Sequence, residues 1–122
     1  TYKAYDPTLD CTVVIKEFLP VELAARSGDS ETVQSRTNRE EDYRFGLNSF
    51  LEEARTLAKS QHNNIVQVTN FIEANGTAYI VMTYAEGITL SDFLKQKPTL
   101  DEATILKLIT PILQGLVEVH SI

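Results

Sequence analysis

The chain has 122 residues, 43% of them hydrophobic and 23% charged, which places it in the range of one soluble globular domain or part of one. Its formal net charge of -6 argues against a nucleic-acid or anionic-membrane surface, because phosphates repel an acidic protein. No apolar run approaches bilayer length, no apolar signal region stands at the start, and the lone Cys11 excludes an internal disulfide, so a reducing, cytoplasmic setting is expected. Residues 2–5 and 10–18 read as two strands joined by the proline turn Asp6-Pro7-Thr8-Leu9. Alternation puts Cys11, Val13 and Ile15 on one face of the second strand and Thr12, Val14, Lys16 and Phe18 on the other. Val14 and Lys16 therefore share a face, an apolar floor with a cation beside it. Pro20 ends the strand.

Residues 21–42 are mixed and polar, and long for a loop. They are expected to form a surface insertion, with Ser27-Gly28-Asp29-Ser30 as a turn flanked by a short hairpin of 24–26 and 32–34. A helix begins near Tyr43 and is clear from Ser49 to Ser60, with Phe50, Leu51, Ala54, Leu57 and Ala58 as its apolar stripe. Glu52 has Arg55, Thr56 and Lys59 as helical neighbours, a solvated surrounding. Glu53 lies three residues after Phe50 and four before Leu57, at the border of the stripe. If one glutamate reaches inward it is Glu53, although the helix alone also allows both to sit in solvent.

Ile65 to Glu73 reads as a strand, Asn75-Gly76 as a two-residue hairpin turn, and Thr77 to Tyr84 as the returning strand, buried on both faces. Glu86-Gly87 breaks it. Leu90 to Lys95 is a short helix. Thr99-Leu100-Asp101-Glu102 has the form of a capping box opening a long helix with Ile105, Leu106, Leu108, Ile109, Ile112, Leu113, Leu116 and Val117. Pro111 is expected to kink that helix. A helix apolar around most of its circumference belongs inside a larger domain. The pattern starts without methionine inside a strand and stops at Ile122 without a polar tail, so part of a longer chain is expected.

The order of these elements resembles the small lobe and first large-lobe helices of a protein kinase of the bacterial, eukaryotic-like serine/threonine type. Val13-Val14-Ile15-Lys16 is similar to the family's V-A-I-K, with Val14 in place of the small alanine over the adenine. Tyr2-Lys3-Ala4 looks like the strand after the glycine-rich loop, and Phe50 to Ala58 like the regulatory helix. His62-Asn63-Asn64-Ile65-Val66 resembles H-P-N-I-V, with Asn63 where proline is usual. Tyr79 to Gly87 resembles the strand and hinge, and Leu113, Leu116 and His120 the helix leading to the catalytic loop.

This resemblance implies an α+β fold: residues 1–87 as a small lobe of about four antiparallel strands plus the regulatory helix, and 88–122 as two helices of an incomplete large lobe. It implies that Lys16 binds the ATP phosphates and Glu53 holds Lys16, the two catalytic candidates. The implied ATP-binding set is Val14, Lys16, Met82 as gatekeeper, the hinge Thr83, Tyr84 and Ala85, and Asp92. ATP, Mg2+ and a protein substrate are the implied ligands of the complete enzyme. No glycine-rich loop, H-R-D-x-x-x-x-N or D-F-G occurs in these residues, so the base and metal ligands lie elsewhere and the piece is expected to be inactive alone. Two other functions are open: an interaction module and a pseudokinase without phosphotransfer. The 101–119 helix is expected to pair with a second copy, and the insertion is a possible contact surface near the regulatory helix.

Overall fold

The computed structural model describes residues 1–28 and 30–121; Asp29, inside the expected 27–30 turn, and Ile122 lie outside the described residues. β1 (Tyr2–Asp6) and β2 (Cys11–Glu17) form an antiparallel hairpin. At its turn the Asp6 carboxylate accepts from the backbone N–H of Thr8 at 2.8 Å and of Leu9 at 3.2 Å, closing the loop locally. β5 (Val68–Ala74) and β6 (Thr77–Thr83) form a second hairpin, and β6 pairs with β2. The sheet order is β1-β2-β6-β5, all antiparallel, which is the four-stranded sheet that the alternation predicts.

β5 starts three residues later than its pattern suggests. Ile65-Val66-Gln67 stays outside the sheet, and only the Gln67 carbonyl joins, accepting from Thr83 N at 3.0 Å. β6 is central, yet it buries mainly one face: Ala78 and Ile80 are buried, Tyr79 and Val81 only half-buried. The expectation of burial on both faces of this strand therefore does not hold.

α1 (Glu40–Lys59) lies across the buried face. It begins at Glu40, so residues 40–42 belong to the helix and not to the insertion. Glu40, Glu41 and Asp42 in its first turn complement the positive end of the helix dipole. Phe50, Leu51 and Ala54 pack against Val68, Ala78 and Ile80, with Leu57 at the margin. Ala58, read as part of the stripe, is exposed.

The expected hairpin in the insertion is present as β3 (Ala24–Arg26) and β4 (Val33–Ser35), one residue later on its second strand than the pattern suggests. It is more than a surface excursion. Ala24 and Val33 are buried with Tyr43 of α1 in a second cluster, flanked by Phe18, Leu19, Leu23 and Leu47.

α2 (Leu90–Gln96) is capped by Thr89, whose hydroxyl accepts from Asp92 N. α3 (Glu102–Ser121) is capped by Asp101 and not by the Thr99–Glu102 box. The Asp101 carboxylate accepts from Thr104 N at 2.9 Å, and its carbonyl accepts from Ile105 N at 3.0 Å. A carboxylate directly before the first turn reaches N3 more readily than a hydroxyl three residues upstream. α3 contacts the segment that follows α1. Buried Gly115 lies against Asn64 and Ile65, and the Asn64 side-chain amide donates to the Pro111 carbonyl at 3.0 Å.

Asn75 and Gly76 take φ of 54° and 71°, the left-handed pair that a tight β-hairpin requires. A Cβ on Gly76 would stand 2.4 Å from the Val33 carbonyl oxygen. Gly76→Ala is expected to cost roughly 1–3 kcal/mol, read as a lower urea midpoint at unchanged m-value; an unchanged midpoint would show that β4 gives way freely. The Asp101 carboxyl is held below the usual carboxylate range, first by the side-chain hydrogen bond from Thr104 and then by the Thr104 backbone N–H. A depressed folded pKa means that the cap stabilises above the unfolded value of about 3.9 and is lost as pH falls through the lower folded value. Backbone chemical shifts of 102–105 should therefore move toward coil with a midpoint below about 3.9. A midpoint at or above that value would contradict the cap.

Candidate functional site

The pairing register sets out one row of the site. Val14 lies opposite Met82, Lys16 opposite Ile80, and Lys3 opposite Val14. Residues opposite one another on paired strands share a face. Lys3, Val14, Lys16, Ile80 and Met82 are therefore all on the α1 side, with Ile80 buried beneath the helix. Val14 and Met82 are half-buried on the same side, an apolar floor that continues toward the end of β6.

Lys16 Nζ stands 3.5 Å from Glu53 Oε1. Glu52 turns the other way and pairs with Arg55 at 2.5 Å, so the border position of Glu53 decides between the two glutamates. The ring centroid of Phe50, one turn before Glu53, is 5.4 Å from Lys16 Nζ and adds a cation–π contact. The Lys16 and Glu53 side chains are 42% and 52% exposed. An ion pair as open as this contributes about 0–1 kcal/mol. The pair therefore does not hold the helix; the buried contacts of Phe50, Leu51 and Ala54 do, and they deliver Glu53 to Lys16 as a consequence.

Thr83 ends β6 directly after Met82, with its N–H fixed by the Gln67 carbonyl, and Tyr84 and Ala85 leave the strand. Lys3 Nζ lies 4.1 Å from the centroid of the Tyr84 ring, so the first strand and the segment after β6 meet across the end of the floor. Asp92 is in the first turn of α2. It accepts from the Thr89 hydroxyl at 2.8 Å and from Lys95 at 3.0 Å, and its carboxyl is held below the usual range by these bonds, Thr89 first. Its hydrogen bonds are local, and they do not join it to the Lys16–Glu53 pair.

The register thus unites Val14, Lys16 and Met82, and helix packing adds Glu53. Thr83 to Ala85 follow by chain continuity, and the side-chain hydrogen bonds of Asp92 run to Thr89 and Lys95 only. Lys3 and Phe50 are contact residues that the sequence reading leaves out of the site. The register of the first hairpin is the signal that finds Lys3, and the spacing Phe50-x-x-Glu53 is the one that finds Phe50. Among the described residues no group of three His, Cys, Asp or Glu side chains gathers in a way that could hold a metal ion.

Three comparisons bear on this arrangement. Residues 21–122 match the protein kinase domain family, a stretch that contains Glu53, Met82 and the segment after it but begins after Lys16. A probable serine/threonine-protein kinase PknB of Lactococcus lactis is 33% identical over 86 residues, 70% of this chain and 14% of that protein. A probable serine/threonine-protein kinase zyg-1 of Caenorhabditis briggsae is 35% identical over 69 residues, 57% of this chain and 10% of that protein. The solved structure of PpkA-294 in its apo form superposes with a TM-score of 0.78 at 41% identity, over 87% of this chain and 38% of that one. The chain thus spans a small part of the relatives it matches. Its sheet, its long helix and the matched residues agree on one conclusion: the chain belongs to the protein kinase domain family, on the serine/threonine kinase side of it.

Proposed function

We propose that this chain supplies the ATP-anchoring part of a serine/threonine protein kinase. The observation that carries the reading is the Lys16–Glu53 approach at 3.5 Å on the face that also presents Val14 and Met82. In this reading Lys16 places its ammonium on the ATP phosphates. An ammonium has three N–H donors, and Glu53 accepts one of them, leaving two for phosphate oxygens. Glu53 thereby fixes where the charge sits, which matters because phosphoryl transfer depends on positioning and charge stabilisation. Val14 forms the floor under the adenine, Met82 stands behind it, and the backbone of Thr83 to Ala85 meets its polar edge. Asp92 retains lone pairs beyond those used by Thr89 and Lys95, so it keeps acceptor capacity for a ligand hydroxyl.

The cation of Lys16, the apolar floor and the backbone after Met82 suit the phosphates and the base of ATP. The divalent ion that kinases use would be held by residues outside this chain, as would the base that accepts the substrate proton. The 122 residues alone are therefore expected to bind ATP weakly and to transfer no phosphate. In the complete kinase Lys16→Met should lower kcat/KM by roughly 10²–10³-fold or more, the scale of losing one preorganised charge contact. Circular dichroism should show the fold intact, since the exposed pair contributes little to stability. Undiminished phosphotransfer in that variant would remove Lys16 from its role.

A second reading, self-association, rests on α3. Ile105, Leu106, Ile109, Ile112, Leu113, Leu116 and Val117 are each at least 40% exposed, on a helix whose only buried residue is Gly115. A contiguous apolar face of this size is covered in a working protein. The isolated 122-residue chain is expected to pair through it. Light scattering at micromolar concentration checks this, and a clean monomer would end the idea.

A further inference from the structure

The β3–β4 hairpin occupies the stretch between the strand that carries Lys16 and the helix that carries Glu53. It is fastened to both. On the strand side, the Arg26 guanidinium pairs with the carboxylate of Glu17, the residue after Lys16. The Glu17 side chain is 3% exposed, and its other oxygen accepts from the Tyr2 hydroxyl at 3.0 Å. Arg26 also donates to the Glu31 carbonyl at 2.7 Å, which ties the two arms of the hairpin together. A buried carboxylate is costly unless paired, so the Glu17–Arg26 contact is specific in a way that open surface pairs are not.

On the helix side, Ala24 and Val33 are buried against Tyr43, in the first turns of α1. The Tyr43 hydroxyl donates to the Gly76 carbonyl at 2.9 Å, and Val33 N donates to the Asn75 carbonyl at 2.7 Å. The start of α1, the hairpin and the β5–β6 turn thus form one packed corner. Tyr43, Leu47, Phe50 and Ala54 recur at helical spacing along a single stripe. The first part of that stripe is held by the hairpin and the second by the sheet. Glu53 lies ten residues beyond Tyr43, about 15 Å along the axis at 1.5 Å per residue, so a small tilt at the first turn displaces its carboxylate.

We propose that the hairpin is a built-in strut that holds α1 by its first turns, with Arg26 and Tyr43 as positioning residues for the Lys16–Glu53 pair. The proposal rests on the role given above to that pair. A helix end held in this way needs no outside partner to keep Glu53 within reach of Lys16. Loosening the strut therefore weakens nucleotide use while leaving protein-substrate recognition alone.

The test uses the complete kinase, with initial rates at varied ATP and at varied peptide substrate. Arg26→Ala is expected to lower kcat/KM for ATP by about two- to thirtyfold, the range for mutations that modulate coupling without touching a ligand. The KM for peptide should stay unchanged, and hydrogen exchange over residues 47–57 should rise. Glu17→Arg combined with Arg26→Glu restores the pair in reverse and should recover most of the loss; this also decides the matter if Arg26→Ala folds poorly. Tyr43→Phe, which removes one hydroxyl and leaves the ring, should act in the same direction to a smaller extent. Unchanged ATP kinetics in Arg26→Ala, an equal loss in both substrates, or no recovery in the reversed pair would each overturn the strut. Lys16→Met run alongside separates the two levels. Full activity there defeats the underlying role of the pair, whereas lost activity there with an inert Arg26→Ala defeats the strut alone.

Discussion

Phe18 is where the packing of the small lobe converges. It stands two residues beyond Lys16, with its N–H on the Ala78 carbonyl at 3.0 Å and its carbonyl accepting from the Thr77 hydroxyl at 2.5 Å. Its ring centroid lies 5.4 Å from that of Tyr43 and 5.4 Å from that of Phe50, so one side chain packs into both hydrophobic clusters. The backbone of Phe18 belongs to the sheet and its ring to the helix interface. Any shift of α1 along the sheet must break one of these ring contacts, each of which carries burial and aromatic pairing.

Gly46 makes this approach possible. Glycine in a helix interior costs about 0.5–1 kcal/mol relative to alanine. A Cβ at that position would stand 2.8 Å from Phe18 Cζ, closer than real contacts allow. The helix accepts a weak residue so that the ring can lie flush against its backbone. The apolar stripe then continues uninterrupted from Tyr43 to Ala54, and the glutamate on its border is brought to the lysine. The pair is thus brought together by buried contacts, while it remains open to water itself.

The same logic separates the two halves of the chain. The small lobe closes its clusters internally, with Ala54 and Ala78 fully buried. The two following helices do not: α2 has no buried residue and α3 only Gly115. α3 is tied to the lobe through Asn64, which reaches both the Pro111 carbonyl and the Gln114 side chain. Those contacts orient the helix and leave its aliphatic face open. The sheet and α1 bury their apolar faces against each other within this chain, whereas the aliphatic face of α3 is open.

By itself the sequence determined the features with local causes. Alternation gave β2, an apolar run gave β6, the Asn75-Gly76 pair gave the turn with two positive φ values, and helical spacing gave the stripe from Phe50 to Leu57. The lysine strand, the glutamate helix and the segment after Met82 came in the order that kinase resemblance requires. Where elements begin was less legible, because the start of α1 at Glu40 and the Asp101 cap each depend on which of several polar residues reaches a free N–H. The border of the apolar stripe pointed to Glu53 over Glu52, and the tertiary structure decided that this border faces Lys16, since only the seating of the helix on the sheet brings the two side chains together. The tertiary structure alone decided that the hairpin expected in the polar insertion is packed on α1, because Ala24, Val33 and Tyr43 are far apart in the chain and carry no periodic signal until they are buried together.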